Sequence, residues 1–296
     1  MHGSSQSEAT TYAQQSTPGL RWQVLEARLD WVTLTAPTGE GATDLYDVGI
    51  PIIRSAGGRD VECSEWKWQG YTGLCSRGVA WGWRLDGACL RASGMAAGLV
   101  YHAARHLKVR CTRLDLCVTA CPASPVDNVS TSYYRSASRG STAGGRRFRS
   151  TLIINDLGGQ TFYAGTRTSP VYLRVYRKDI ESEGEYPEYS WRWEVELKDV
   201  VSDNLWHLED TDLEDPGKVK LLVASYFARW QLDVPWLDAT PDPVWVPRRE
   251  PTDAERLERW LRTSVAPAIE KLTTCRTRAE ILDALGLNPD VPASHT

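Results

Sequence analysis

The strongest constraint on the fold of this chain is a residue-by-residue alternation of charged and apolar side chains in three segments far apart in sequence. They are Arg113-Leu114-Asp115-Leu116, Arg174-Val175-Tyr176-Arg177-Lys178 and the run from Trp191 to Lys198, W-R-W-E-V-E-L-K. Alternation at period two marks a strand with one face buried. Placed side by side, the three strands gather Tyr176, Asp115, Glu194 and Glu196 on one polar surface beside Arg113, Arg174, Lys178 and Arg192. Their reverse faces (Leu114, Leu116, Val118; Leu173, Val175; Trp191, Trp193, Val195, Leu197) are apolar and expected to pack on helices. A plainer alternative stands beside this one: exposed strands laced by cross-strand ion pairs, with Tyr176 an ordinary strand tyrosine.

A tyrosine among carboxylates and cations has a definite chemistry. A phenol, with an ordinary pKa of about 10, is a poor nucleophile at neutral pH and needs a cation or metal to stabilise its phenolate. Arg174 and Lys178 are expected on the same side as Tyr176. Attack on a phosphodiester builds negative charge on the phosphoryl oxygens, which a carboxylate-held divalent cation neutralises. Asp115 with Glu194 or Glu196 offers hard oxygen donors suited to Mg²⁺ or Mn²⁺.

The overall charge of −4 conceals a segregated distribution. Between residues 101 and 180 thirteen Lys or Arg face only four Asp or Glu, so a basic block sits inside an acidic chain. Such a block fits a phosphate-facing surface as well as a solvated basic face. Arg146-Arg147-Phe148-Arg149, following a Gly/Ser-rich tract, could lay guanidinium groups along DNA phosphates. Arg113, Arg167, Arg177 and Arg192 join them as candidate DNA contacts. Elsewhere the composition excludes more than it assigns. No run of eighteen apolar residues occurs, and the first twenty residues lack the apolar stretch of a secretory signal, so no membrane association is expected. Seven cysteines without a C-x-x-C pair fit reduced thiols in the cytoplasm. The thirteen Trp, many alternating with polar residues before residue 100, are expected in sheet and core packing.

The pattern along the chain gives an α+β fold: curved antiparallel sheets, which could form two similar lobes, with packed helices and a C-terminal helical extension. Residues 1–20 read as a disordered leader, 21–234 as the catalytic domain, 235–251 as a Pro/Trp-rich linker and 252–296 as the helical extension. Strands are expected from Trp22 to Leu34, Gly78 to Leu85, Lys108 to Val118, Arg147 to Asn155, Gln160 to Ala164, Val171 to Lys178 and Tyr189 to Lys198. Gly70, Gly73, Gly78, Gly82 and Gly87 punctuate hairpins, and Ser136–Gly145 reads as a mobile loop. Helices are expected over 95–107 and Lys218–Trp230, and Thr252-x-x-Glu255 and Thr277-x-x-Glu280 are capping boxes.

The same residues carry a family resemblance. Thr112-Arg113-Leu114-Asp115-Leu116 resembles the T-R-[IL]-D-L strand of the Rep_trans family of plasmid and phage rolling-circle replication initiators. Phe162 to Ser169 (F-Y-A-G-T-R-T-S), Arg174-Val175-Tyr176-Arg177-Lys178 followed by Glu181, and Trp191-Arg192-Trp193-Glu194-Val195-Glu196 are similar to three further motifs of that family, in the same order. Asp30-Trp31, Ala92-Ser93-Gly94 and the helix from Trp260-Leu261 to Pro267 extend the likeness over roughly residues 22–270. The resemblance implies nicking of one strand at a double-strand origin, with Tyr176 linked to a 5′-phosphate and the freed 3′-hydroxyl priming synthesis. It also implies Asp115 and Glu194 as metal-binding acids with Glu196 behind them, a dimer, and a host helicase as partner. The DNA partner would be origin DNA, single-stranded or supercoiled duplex. Thr119 stands where the family commonly has a second acid, which shifts the expected metal ligand toward Glu196, and Arg177-Lys178 replaces its Asp-Lys.

Two other functions share these features: an origin-binding or repressor protein on the same scaffold without cleavage, and a relaxase for conjugative transfer. The chain has no His-hydrophobe-His triplet, which separates it from the other large class of tyrosine nickases.

Overall fold

The computed structural model describes residues 21–57, 63–139, 148–156, 158–209, 211–237 and 253–284. They fall into two compact units, Met1–Arg248 and Arg249–Thr296. The leader at 1–20, most of the linker at 235–251, the first capping box, and Arg146 and Arg147 lie outside the described residues.

The first unit is built on one continuous antiparallel sheet of ten strands. In chain order these are β1 (Trp22–Pro37), β2 (Ser64–Trp68), β3 (Tyr71–Ser76), β4 (Val79–Arg84), β5 (Gly87–Ser93), β6 (Arg110–Pro122), β7 (Ser150–Ile154), β8 (Gln160–Ala164), β9 (Val171–Arg177) and β10 (Trp191–Lys198). Their spatial order is β2-β3-β4-β5-β1-β6-β10-β9-β8-β7. The sheet therefore consists of two five-stranded halves that meet along β1 and β6. Each half follows the same course: a long central strand, a helix, three strands stepping in from the outer edge, then a fifth strand returning beside the first, and another helix. The two expected lobes thus exist as halves of one sheet.

The helices α1 (Glu40–Gly57), α2 (Met95–Ala104), α3 (Val129–Arg139), α5 (Asp199–Trp206) and α6 (Pro216–Ala228) pack against the sheet, and α4 (Lys178–Glu181) is a single turn after β9. Leu29, Val32, Leu34, Leu114, Leu116, Val118, Leu173, Val175, Trp193, Val195 and Leu197 fill the apolar face as the alternation requires. Trp193 anchors it: its indole packs edge-on against Trp22 at 5.4 Å and Trp236 at 4.4 Å and donates to the Tyr133 hydroxyl at 2.9 Å. Helix α6 opens on Asp215, whose carboxylate accepts from the Gly217 amide at 2.7 Å, with Pro216 in the first turn where its missing N–H is harmless.

The hairpins β2–β3 and β3–β4 close on Gln69-Gly70 and Arg77-Gly78, all four at positive φ, the backbone of tight two-residue hairpin turns. Gly73 and Gly82, by contrast, lie inside strands and pair with each other. A Cβ on Gly82 would sit 2.9 Å from the Trp66 ring, so Gly82 clears room for that indole, while a Cβ on Gly73 would run into the backbone of β4. Helix α3 continues to Arg139, so the first part of the expected Ser136–Gly145 loop is helical. All seven cysteines are free, and among the described residues no helix is long and apolar enough to cross a membrane.

In the second unit, α7 (Asp253–Trp260), a π-turn (Leu261–Val265), α8 (Ala266–Leu272) and α9 (Arg278–Ala284) follow in turn. Thr277 caps α9 reciprocally: its amide donates to the Glu280 carboxylate at 2.8 Å and its hydroxyl accepts from the Glu280 amide at 3.4 Å.

Candidate active site

Strands β6, β10 and β9 are consecutive in the sheet, so the three alternating segments are neighbours. The register sets Asp115 opposite Glu196, Glu194 opposite Arg174 and Arg192 opposite Tyr176. All of these side chains rise from the face opposite the helices. The Tyr176 hydroxyl donates to Glu194 Oε2 at 3.2 Å. Arg174 Nη2 bonds Glu194 Oε1 and also lies 3.4 Å from Asp115 Oδ2 and 3.9 Å from Glu196 Oε2. One cationic nitrogen thus stands at the focus of three carboxylates. Arg113 grips Asp115 through two hydrogen bonds, at 2.9 and 2.5 Å, and reaches Glu196 at 3.3 Å, while Lys198 Nζ pairs with Glu196 at 2.6 Å.

A second polar knot adjoins the first. Arg192, only 2% exposed, donates to Thr119 Oγ1 at 2.9 Å, Glu26 Oε2 at 2.8 Å and the Tyr186 hydroxyl at 3.2 Å. Tyr186 in turn donates to Glu26 at 2.6 Å, and Arg28 pairs with Glu26 and, at 2.7 Å, with Asp30. Glu26 sits directly opposite Thr119 in the β1–β6 register. A carboxylate from the neighbouring strand is therefore delivered to the position where Thr119 has none. Sequence reading missed Glu26 and Tyr186. The signal for the first was present, since Glu26, Arg28 and Asp30 alternate along β1 as the charges do in the other three strands.

Burial dominates the electrostatics. Asp115 and Glu194 are 1% and 3% exposed. Burial pushes Glu194 up to about 7; Arg174 works against the rise and the neighbouring Asp115 with it. Asp115 is raised by burial too, although Arg113 opposes the shift. Burial and the Glu194 carboxylate drive the Tyr176 phenol well above its ordinary value, and Arg192 and Arg174 only partly compensate. For Arg174, burial disfavours the charge, but Glu194 and Asp115 outweigh it and the guanidinium stays protonated. The phenol accordingly holds its proton at rest, hydrogen-bonded to a carboxylate able to exchange protons near neutrality.

Several expected contributors lie elsewhere. Lys178 is not on the strand; it opens α4, pairs with Glu181 and places its Nζ 5.6 Å from the Tyr186 ring. Arg177 points to the opposite side of β9 from Tyr176, as strand alternation demands, and is taken up by Asp179 at 2.5 Å and Asp127 at 3.0 Å. Arg192 is internal for the reason given, so neither guanidinium is presented at the surface. Arg149 and Arg167 are exposed. Phe148 packs edge-on against Trp230 at 4.4 Å.

Asp115, Glu194 and Glu196 have the oxygen chemistry that Mg²⁺ or Mn²⁺ prefers, and they already converge on a single positive atom, Arg174 Nη2. Among the described residues no three acidic, His or Cys side chains stand at the spacing of a metal cage. The donor set fits such an ion in kind, and the point on which it converges is occupied by the Arg174 guanidinium.

Residues 134–285 match the family described as replication initiation factor. That span contains β9 and β10 with Arg174, Tyr176, Glu194 and Glu196. Among solved structures the chain resembles the rolling circle replication initiator protein from Geobacillus stearothermophilus, at 20% identity over 71% of this chain and 85% of that one, with a TM-score of 0.47. No curated protein matches the chain. With a match over more than half of its length, one that takes in the tyrosine and two of the three acids, the chain belongs to the replication initiation factor family.

Proposed function

We propose that the chain is a rolling-circle replication initiator that nicks and rejoins one DNA strand at an origin, with Tyr176 as its nucleophile. The observation that carries this reading is the Tyr176–Glu194 hydrogen bond at 3.2 Å, with Glu194 tied to Arg174 at the centre of the carboxylates. In the forward step the phenolic oxygen forms a bond to the scissile phosphorus and the bond from phosphorus to the 3′ oxygen breaks. The phenol's proton passes to Glu194, and the departing 3′ oxygen becomes a hydroxyl by taking a proton from water. Rejoining reverses this, and Glu194 returns the proton. Arg174, adjacent to both groups, stabilises the negative charge gathering on the phosphoryl oxygens. Asp115, Glu194 and Glu196 would hold a Mg²⁺ or Mn²⁺ ion, which when bound polarises the phosphate and eases loss of the phenolic proton.

Origin DNA is then the partner, presented as a single strand or from a supercoiled duplex. The test incubates the protein with labelled supercoiled DNA carrying the replicon that encodes it, in Mn²⁺. A DNA–protein adduct that survives denaturant and disappears in Tyr176→Phe is the expected result. Adduct of normal yield in Tyr176→Phe, or none from the wild type, sinks the reading. The raised phenol pKa and the arginine-filled carboxylate cluster favour one alternative, a DNA-binding member of the family that does not cleave, which would give a salt-sensitive mobility shift alone.

A further inference from the structure

The two halves of the sheet share a topology but carry different side chains on the face away from the helices. In the β6–β10 half that face holds the tyrosine and acids described above. In the β1–β5 half it holds Trp31, Trp66, Trp68, Tyr71, Arg84 and Arg91 over a floor of Gly73, Ala80, Gly82 and Cys89. No Asp or Glu of β1 from Trp31 onward, or of β2 to β5, points to it.

Arg91 is the decisive residue. Its guanidinium stacks among three indoles, 4.9 Å from the Trp31 ring, 5.3 Å from Trp66 and 5.6 Å from Trp68. Arg28, Arg113, Arg174 and Arg192 on this face are all ion-paired, and Arg84 is held by Asp86 of the turn between β4 and β5, whereas Arg91 has neither a carboxylate nor a hydrogen-bond partner among the described residues. A half-buried, uncompensated cation is costly and is relieved by an anion arriving from solvent. Around it the rings are ordered in one file. Trp66 stacks on Trp68 at 5.9 Å, Trp68 on Tyr71 at 6.4 Å, and Arg84 lies over Tyr71 at 4.5 Å. At the other end Arg113 lies 4.6 Å from the Trp31 ring while holding Asp115. The file therefore runs unbroken from the catalytic acids to the outer edge of the sheet. Five inter-strand steps of about 4.8 Å make it ~24 Å long.

From this we infer that the aromatic–arginine face of the first half is a binding path for single-stranded DNA, continuous with the scissile phosphate: a phosphate on Arg91 and a base against the half-exposed Trp68. Alternating cations and aromatic faces are what sequence-tolerant single-strand binding requires, and sites of this kind begin at about four nucleotides. A single strand, not a duplex, is the occupant, because Trp66 and Tyr71 are buried and only the half-exposed Trp31 and Trp68 offer ring surface, which an unpaired base can reach and a base stacked inside a duplex cannot. The inference extends the nicking reading and rests on it for the direction of the path.

The experiment measures binding of fluorescein-labelled dT₁₂ by anisotropy across a series of KCl concentrations, which needs no cleavage. Arg91→Gln should weaken binding several-fold and lower the salt slope by about 0.7, the loss of one phosphate contact on a single strand. Arg91→Lys should restore the slope. Trp68→Ala should weaken binding roughly five- to hundredfold with the slope unchanged, and Trp68→Phe should recover most of it. Arg54→Gln, an exposed charge on α1 behind the sheet, is the control. Wild-type affinity and slope in Arg91→Gln, or wild-type affinity in Trp68→Ala, overturns the path, as does equal binding of a twelve-base-pair duplex. Should the wild type bind dT₁₂ in this Arg91-dependent way yet form no adduct, the nicking reading alone falls.

Discussion

Among single residues, Glu194 carries the clearest consequence. Its carboxyl is raised to about 7 by burial, so it is protonated below that pH and available as a base above it. The rate of adduct formation should therefore rise with pH as Glu194 loses its proton, near neutrality in chelator-treated protein and at lower pH once Mn²⁺ sits on the carboxylate, read as initial rates on the origin substrate. Glu194→Gln should lower the rate by about 10²- to 10⁴-fold, the usual worth of a positioned base, and flatten the profile. An unchanged profile in that variant would assign the base elsewhere. Arg174 has a structural consequence of its own. Removing it strands Glu194 as a buried, uncompensated acid, while Asp115 keeps its two bonds to Arg113, so Arg174→Met should cost about 3–5 kcal/mol at neutral pH, seen as a fall in the urea midpoint. The residues of this site were legible in sequence through their alternation, because strand geometry puts Glu194 and Glu196 on the polar side of one strand and Asp115 on the polar side of another, and the pairing of β6 with β10 joins the two. What alternation could not show was who neutralises whom. Tyr186 lies on an irregular connection that no periodicity describes, and Glu26 becomes a site residue only because β1 pairs with β6.

Among elements, strands were read to within a few residues and helices less evenly. Val171–Arg177 and Gln160–Ala164 announce themselves by alternation, and Met95–Ala104 by helical spacing of small apolar residues. Helix α1 escaped because Gly41, Gly49 and Pro51 look like breakers. Gly49 is tolerated because its bare Cα leaves room for Leu90 and Trp81, which a Cβ would approach to 2.8 and 3.3 Å. Gly73 and Gly82 misled in the opposite sense, since glycine in a hairpin-rich stretch reads as a turn. Their in-strand role gives a prediction. A Cβ on Gly73 would lie 2.0 Å from the Trp81 carbonyl oxygen, so Gly73→Ala must part the β3–β4 pairing. It should cost about 1–3 kcal/mol in thermal unfolding, and a fall of dT₁₂ affinity with it would tie that hairpin to the strand path.

For the molecule as a whole, the order of strands in the sheet was hidden, because nothing in a strand names its neighbour and the two halves share a course without a sequence repeat. The whole fold is also where a metal would register. An ion seated among Asp115, Glu194 and Glu196 binds the native chain and not the unfolded one, so Mn²⁺ at ten times its dissociation constant should stabilise the protein by about 1.4 kcal/mol. The melting temperature should rise accordingly, and Asp115→Asn should remove the rise; an equal shift in that variant would place the ion away from the acids. The long pairing of β1 with β6 has one more outcome. Twelve residue pairs, from Trp22–Pro122 to Thr35–Arg110, join the two halves along parallel lines. Tension drawn along that seam by a tethered polymer is shared by every row at once, as in a zipper pulled lengthwise, and the halves yield together or not at all.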